Sequence, residues 1–444
     1  MKLLPVRRLG RALAPVLLIF ACSSAAQAQL RLPGGLPTLP ALPTQLPGRA
    51  IDRLADAPVP SLRRQTVQAL LREHADLLEA DPAGEPVLRG ELLLVSPSPA
   101  LLAAARAEGF AVLRDEPLPG LDDLRSVVLQ APRGRSTADA LAWLRAQDPA
   151  LAADFNHVYT RSGDAGPSAA PPGAAGLAPT AATSAAGTGR VGLIDSGVDS
   201  RHPALRAAPV RRWGCDGAEI GSPHGTAVAS LLVGQDSAFA GALPGATLHA
   251  ADVYCGQAVG GSAERIAQAL AWMARERVAV VNVSLVGPAN RLLDQAVHAL
   301  AARGHLVVAA VGNDGPAAPP LYPAACADAV GVTGVNARRR VLPEAAQGPQ
   351  VAFAAPGAEL AAAGPGGEGY TVVRGTSFAA PLVAGLLAAR LPAPEPAAAR
   401  AAVQALAHDA LDLGASGRDP VFGWGLVAEA RRVAPEQVHA RLPR

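Results

Sequence analysis

Between Arg190 and about residue 390, short apolar runs alternate with segments of helical spacing. The runs VGLI, TLHAADV, VAVVNVSL and LVVAAVG predict strand cores, and helices are predicted at about 225–233, 262–275, 290–303 and 377–390. Strands that are apolar at nearly every position are typical of a parallel sheet covered by helices on both faces. The sequence therefore predicts a three-layer α/β fold, in which sites form at the carboxyl ends of the strands.

Four polar residues occupy the positions where such a site is expected. Asp195 and Asn313 directly follow strand runs, and His224 and Ser377 begin helices, so all four are predicted at one edge of the sheet. They occur in the phrases VGLIDSGVD, SPHGTAVAS, VVAAVGNDG and RGTSFAAP. Each phrase alone is a weak signal that also fits a turn or a helix cap. Their joint occurrence in fitting secondary structure predicts a catalytic site.

The residue types suit nucleophilic catalysis. Ser377 would be the nucleophile, once a base removes its proton. His224 would be that base and would later protonate the leaving group, with Asp195 orienting its ring. The Asn313 carboxamide would donate a hydrogen bond to an oxyanion.

The same motifs resemble those of subtilisin-like serine proteases (peptidase S8). DSGVD with the following HP, HGTAVA, GTSFAAP, the strand NVSL and the late stretch FGWGLVAEA all resemble that family's patterns. The resemblance implies a parallel-sheet catalytic domain with Asp195, His224 and Ser377 as catalytic residues and Asn313 in the oxyanion hole. It also implies a set of substrate-binding residues, namely Ser284, Leu285, Val286 and Gly312.

The part of the chain before residue 162 shows a different pattern. Strand and helix signals between residues 91 and 160 follow the order βαββαβ, which predicts a small α+β domain. Residues 61–80 are predicted to be helical. By position, the α+β domain resembles the family's propeptide, an intramolecular chaperone and inhibitor. Its last strand, Asp154–Thr160, would then lie in the active site.

Composition shifts predict the domain boundaries. Residues 1–28 have the basic, apolar and A-x-A regions of a signal peptide, although a lipoprotein processing box at Cys22 is an alternative. We expect a Pro-rich spacer and helix over 29–88, the propeptide-like domain over 89–161 and a disordered Ala/Pro/Gly linker over 162–188. The peptidase domain is expected over 189–435.

Three cysteines remain after removal of the signal peptide. Cys215 and Cys255 flank the His224 segment and are the preferred disulfide pair, with Cys326 left over. Three free thiols are the alternative. The loop after the His224 helix offers only Asp236 as a carboxylate ligand, so no metal site is predicted, and no cofactor is expected.

The balance of 39 Lys and Arg against 37 Asp and Glu argues against nucleic acid as a partner. The expected function is that of an exported serine endopeptidase, made as a self-processing precursor. Its partners would be peptide or protein substrates and its own inhibitory propeptide. We expect a monomer that is secreted, periplasmic or at the cell surface. The alternative is a catalytically silent exported binding or scaffold protein on a protease fold.

Overall fold

The computed structural model describes residues 62–121, 124–161, 189–367 and 369–439. All of them belong to one compact unit of the chain, Val59–Arg444. The predicted signal peptide, the Pro-rich spacer and the linker at 162–188 lie outside the described residues. In the described part of the chain, no helix is both long enough and apolar enough to span a membrane.

In the described residues before position 162, five strands form an antiparallel sheet with three helices, and a sixth strand lies outside that sheet. Their bounds are α1 Leu62–Glu73, β1 Leu78–Ala80, β2 Pro86–Val95, α2 Pro99–Ala107, β3 Ala111–Pro117, β4 Arg125–Gln130, α3 Thr137–Gln147, β5 Ala153–His157 and β6 Thr160–Arg161. The strand order is β1-β2-β4-β3, and β5 also pairs with β2. Ser136 caps α3, because its hydroxyl oxygen accepts from the Asp139 N–H at 3.1 Å.

The predicted helix over 61–80 is wrong in its last third. The chain leaves the helix after Glu73, and Leu78–Ala80 form β1, which pairs with the start of β2. Leu78 is buried there, so the strand pairing is accompanied by favourable burial of an apolar side chain. The antiparallel sheet consequently includes residues that precede position 89.

The elements after the linker form the predicted α/β fold. They are β7 Arg190–Asp195, β8 Val210–Trp213, α4 Pro223–Val233, β9 Thr247–Asp252, α5 Ala263–Arg275, β10 Val280–Val283, β11 Leu285–Val286, α6 Arg291–Ala302, β12 Leu306–Ala310, β13 Ala329–Val335, β14 Val351–Pro356, β15 Leu360–Ala363, β16 Tyr370–Val373, α7 Thr376–Arg390, α8 Pro396–His408 and α9 Pro435–His439. Seven strands form a parallel sheet in the order β14-β13-β12-β10-β7-β9-β8. The predicted fold class is confirmed.

Two apolar cores cover the two faces of the parallel sheet. One contains side chains of α4, α7 and α8, and the other contains side chains of α5 and α6. The second core also takes in Leu93 and Val128 from the antiparallel sheet, whose own core lies under α2 and α3. Helices α5 and α6 therefore separate the two sheets, and the carboxyl edge of the parallel sheet remains lined by loops.

Candidate active site

The carboxyl edge of the parallel sheet collects the residues that the sequence singled out. Asp195 is the last residue of β7, Ser284 follows β10, and Gly312 and Asn313 follow β12. His224 and Ser377 lie in the first turns of α4 and α7, the helices that share one core on the same face of the sheet. Parallel strands end at a common edge, which explains why residues so far apart in sequence meet here.

Asp195 and His224 form a buried hydrogen-bonded pair. The distance from His224 Nδ1 to Asp195 Oδ1 is 2.9 Å, and Asp195 is fully buried while His224 is 5% exposed. Because a carboxylate only accepts, Nδ1 carries the ring proton and Nε2 presents its lone pair. Among the described residues, Nε2 of His224 has no hydrogen-bond partner. The imidazole is thus oriented as a base.

The carboxylate of Asp195 is itself held in place. Its Oδ1 also accepts from the Ser196 N–H at 2.6 Å and from the Ser196 hydroxyl at 2.9 Å. A second carboxylate, Asp252, lies close enough for the Asp195 charge to raise its pKa, although burial is the larger cause of that rise.

Ser377 is buried in the first turn of α7. Gly375, the residue that caps this helix, has φ = 134°, a conformation that favours glycine and lets the helix begin abruptly. The Ser377 hydroxyl donates to the Ser284 carbonyl at 3.3 Å. The ring of Phe378 is 5.5 Å from the imidazole of His224, measured between centroids, so the two rings are in contact.

Asn313 is anchored to the same helix. Its Oδ1 accepts from the Thr376 N–H at 3.1 Å, so the carbonyl branch of the amide faces α7 and Nδ2 forms the other branch. Gly312 donates its N–H to the Thr376 hydroxyl at 3.2 Å. Gly312 has φ = 101°, and a Cβ there would lie 2.7 Å from Leu321 Cδ1. Both the positive φ and this short contact favour glycine at the position.

Three of the four predicted binding residues, Ser284, Leu285 and Val286, lie beside a segment of the chain itself. Strand β11 pairs antiparallel with β6, with Leu285 opposite Arg161 and Val286 opposite Thr160. The prediction that Asp154–Thr160 as a whole would lie in the cleft is wrong. Residues 153–157 pair with β2, where they complete the antiparallel sheet, and only the following residues reach β11.

Sequence reasoning missed several residues around this strand. Tyr254, Gly261, Gly287 and Pro288 all contact Tyr159, which directly precedes β6. Gly287 and Pro288 extend the NVSL motif, which was the available signal. Tyr254 follows a strand end as Asn313 does, but a tyrosine at such a position carries no distinctive pattern.

A disulfide joins Cys215 to Cys255, with 5.2 Å between their Cα atoms, which confirms the preferred pairing. Cys326 is a buried free thiol, and burial is the main cause that raises its pKa. One group of three potential metal ligands occurs in the described ranges, namely Cys215, Cys255 and Asp252. Both sulfurs are committed to the disulfide. Asp236 accepts from the N–H groups of Ala238 and Phe239, and so organises its own loop.

Comparisons with known proteins agree with this architecture. Residues 188–425 match the Peptidase_S8 model of the subtilase family. The chain is 31% identical over 208 residues to the minor extracellular protease Epr of Bacillus subtilis (strain 168), a match that covers 46% of this chain and 32% of that protein. It is 35% identical over 206 residues to subtilisin Savinase of Lederbergia lenta, which covers 45% of this chain and 74% of that protein. A third relative, M-protease of Shouchella clausii (strain KSM-K16), is 35% identical with 53% of its length covered.

Among solved structures, the chain is similar to fervidolysin from Fervidobacterium pennivorans, a keratinolytic enzyme related to subtilisin. The TM-score is 0.61 at 19% identity, and the match covers 82% of this chain and 63% of that chain. At this identity, the similarity shows a shared fold and nothing further. The chain spans about a third of Epr and about half of M-protease. Because the subtilase family model matches more than half of its residues, the chain belongs to the subtilase family.

Proposed function

We propose that this protein is an exported serine endopeptidase that hydrolyses peptide bonds through an acyl-enzyme and processes its own precursor. The observation that carries the proposal is the buried Asp195–His224 pair, whose Nε2 is free to accept a proton at the sheet edge that also holds Ser377. An imidazole oriented by a carboxylate, at the same sheet edge as a buried serine hydroxyl, supports a serine nucleophile activated by a histidine base.

In the proposed mechanism, the Ser377 hydroxyl turns from the Ser284 carbonyl towards Nε2 of His224 and attacks the substrate carbonyl carbon. His224 takes the hydroxyl proton and then delivers it to the departing amine, which leaves an acyl-enzyme. Water, activated by the same imidazole, releases the acid product. Asp195 keeps its charge and stabilises the imidazolium.

Asn313 is proposed to stabilise the tetrahedral intermediate. Because Oδ1 is held by the Thr376 N–H, Nδ2 is the branch that can donate to an oxyanion, next to the backbone N–H of Ser377 at the helix N-terminus. Removal of one such donor costs about 10²- to 10³-fold in kcat, a magnitude that comes from subtilisin itself.

The substrate class follows from the pairing of β11 with β6. An extended peptide that takes the place of β6 can pair with this two-residue strand in the same way, through main-chain hydrogen bonds that do not depend on sequence. Peptides and proteins are therefore the proposed substrates. Arg161 lies opposite Leu285, and the carbonyl of the residue before it, Ser284, lies 3.3 Å from Ser377 Oγ. We accordingly propose that the precursor is cut shortly after Arg161.

The test is a comparison of the full-length wild type with Ser377→Ala. Wild type recovered from the culture medium should have lost its signal peptide and been cut shortly after Arg161, as read by N-terminal sequencing and mass measurement. Ser377→Ala should lose the signal peptide only, because the nucleophile is missing. A small amount of wild type added to purified Ser377→Ala shows whether cutting also occurs between molecules.

Three results would each contradict a part of the proposal. Normal maturation of Ser377→Ala without added protease would exclude self-processing. A wild type that is not labelled by a serine-directed fluorophosphonate, and that cleaves no peptide, would favour the catalytically silent scaffold.

Export is supported by the Cys215–Cys255 disulfide, since such bonds persist in oxidising compartments. Recovery of the protein only from the cytoplasm would contradict it.

A further inference from the structure

Tyr159 fills a closed recess beside the candidate active site. The side chain is fully buried, and its hydroxyl donates to the Pro288 carbonyl at 2.7 Å. Gly287 forms one wall, because a Cβ at that position would lie 2.6 Å from Cδ1 of the tyrosine ring. The recess therefore fits a six-membered aromatic ring and ends in a hydrogen-bond acceptor.

The main chain of Tyr159 is held from both sides. Its N–H donates to the Gly261 carbonyl at 2.9 Å, and its own carbonyl accepts from the Tyr254 hydroxyl at 2.7 Å. Burial raises the pKa of Tyr159 well above its ordinary value, so the phenol stays neutral and acts as a donor to Pro288. Every polar group of this residue thus has a partner in the cleft.

Arg161, two residues further on, contacts the same wall of the cleft. Its guanidinium carbon lies 5.5 Å from the ring centroid of Tyr254, within the range of a cation–π interaction. One of its terminal nitrogens lies 3.5 Å from the Ser222 hydroxyl. Tyr254 therefore binds the backbone of Tyr159 with its hydroxyl and the side chain of Arg161 with its ring.

We propose that the cleft selects substrates with the sequence Tyr-x-Arg on the amino-terminal side of the cleaved bond. The Pro288 carbonyl would accept a hydrogen bond from the phenol, and Gly287 would leave room for the ring. The ring of Tyr254 would bind the guanidinium of the arginine. This inference rests on the proposed peptidase function. It adds a substrate class and names the residues that set it, with residues 159–161 of the chain serving as the bound example.

The tyrosine hydroxyl is what distinguishes tyrosine from phenylalanine in this recess. A phenylalanine would fill the recess but leave the buried Pro288 carbonyl without its donor, and an unpaired buried acceptor lowers affinity by about tenfold. An alanine would in addition lose most of the buried ring area, for a total loss of about 10³-fold. Loss of the arginine, which is exposed, should cost only about threefold.

The first experiment uses protein that was expressed as the full-length chain and has then processed itself. It measures kcat/KM on peptides that differ at these two positions. Peptides with Tyr-Thr-Arg before the cleaved bond should be preferred to Phe-Thr-Arg, Ala-Thr-Arg and Tyr-Thr-Ala by the factors above. Gly287→Ala should reduce the Tyr-to-Ala preference to about one, because its Cβ occupies ring space. Gly189→Ala is the matched control, since a Cβ there meets only Leu243 at an ordinary 3.5 Å.

The second experiment needs no catalysis. In full-length Ser377→Ala, amide hydrogen exchange over residues 157–161 and 284–287 reports whether the strand is seated. Tyr159→Phe should raise exchange modestly and Tyr159→Ala strongly. Arg161→Ala should raise exchange slightly, and Tyr254→Phe should raise it because the carbonyl of residue 159 loses its donor.

The outcomes separate this inference from the proposed function. Cleavage of all four peptides at similar rates would overturn the selection and leave the peptidase function intact. Exchange that is unchanged in the Tyr159 and Tyr254 variants would also overturn it. Absence of any peptide cleavage, together with the expected exchange differences, would remove the peptidase function while the Tyr-x-Arg recognition stands.

Discussion

The Ser377 carbonyl accepts a hydrogen bond from a residue outside its own helix. In a regular helix this carbonyl would accept from the N–H of residue 381, but Pro381 has no N–H to donate. The Ser284 hydroxyl takes that place and donates to the Ser377 carbonyl at 2.9 Å, while it accepts from Asn282 Nδ2 at 2.9 Å. The segment that joins β10 to β11 is thereby tied to the helix that carries the hydroxyl of Ser377.

Ser284→Ala should therefore remove the hydroxyl that donates to this buried carbonyl and lower the free energy of unfolding by about 1–3 kcal/mol. Pro381→Ala restores an N–H at the right position, so the same serine substitution should cost clearly less when both changes are combined. Urea unfolding of the four proteins, all in the Ser377→Ala background to prevent self-digestion, measures this coupling.

Pro396, at the first turn of α8, provides the control for the cycle. Pro396→Ala adds an N–H that no carbonyl of the site needs, so it should leave the cost of Ser284→Ala unchanged. If the costs of Ser284→Ala and Pro381→Ala add within about 0.5 kcal/mol, the serine hydroxyl does not substitute for the missing helix bond.

At the scale of elements, the antiparallel sheet contacts the starts of helices α5 and α6. Asp154 Oδ2 accepts from the Arg291 N–H at 3.1 Å, and Asn156 Oδ1 accepts from the Glu264 N–H at 3.4 Å. Both acceptors thus satisfy first-turn N–H groups that have no partner within their helices. Arg114 adds an ion pair, with 2.8 Å to Glu264 and 2.6 Å to Glu91.

Glu264 is the buried member of this ion pair, with a side chain that is 3% exposed. Arg114→Met should lower the free energy of unfolding by roughly 3 kcal/mol, the lower end for a broken buried pair because Arg114 is partly exposed. The combination with Glu264→Gln should recover part of the loss, since the buried charge of Glu264 is then removed together with its counter-ion. Urea unfolding of full-length Ser377→Ala derivatives measures both effects.

The exposed pair of Arg125 and Asp115 in the same sheet provides the comparison. Arg125→Met should change the free energy of unfolding by less than about 1 kcal/mol. An Arg114→Met protein that is no less stable than Arg125→Met would show that the ion pair with Glu264 does not hold the sheet against α5.

At the scale of the whole molecule, buried imidazoles link stability to pH. Burial is the main cause that lowers the pKa of both His249 and His305 below the ordinary 6.5. His305 Nδ1 lies 2.7 Å from the Val278 carbonyl, and the charges of Arg277 and Arg303 lower its pKa further. These imidazoles lie on β9 and just before β12, so their protonation would affect the central sheet.

The sign of the effect follows from the depressed pKa. Above pH 6.5 both the folded and the unfolded chain hold a neutral His305, so its contribution is constant. Below that value the unfolded chain takes up a proton first, and stability falls with decreasing pH until the folded pKa is reached. The slope is at most about 1.4 kcal/mol per pH unit for one such group.

Thermal unfolding of full-length Ser377→Ala between pH 7.5 and 5 tests this dependence. His305→Gln keeps a donor for the Val278 carbonyl but cannot titrate, so its melting temperature should fall less steeply on acidification. His298→Gln is the control, because that imidazole is 74% exposed in its side chain. Parallel pH curves for wild-type His305 and His305→Gln would show that this residue does not contribute to acid sensitivity.

The sequence by itself determined the α/β architecture and the edge at which Asp195, His224, Asn313 and Ser377 lie. Those predictions depend on local patterns: apolar runs bury a strand on both faces, and parallel strands end at one edge. The position of each polar residue relative to its strand or helix is enough to place it.

Only the tertiary structure decided which distant segments touch. Residues 78–80 became a strand because β2 was available to pair with them, although their local pattern fits a helix. The contacts of Tyr159 with Tyr254 and Pro288, and of Arg114 with Glu264, span about 95 to 150 residues of chain. Hydrophobic periodicity constrains near neighbours in sequence, whereas such contacts depend on how packed sheets and helices bring remote loops together.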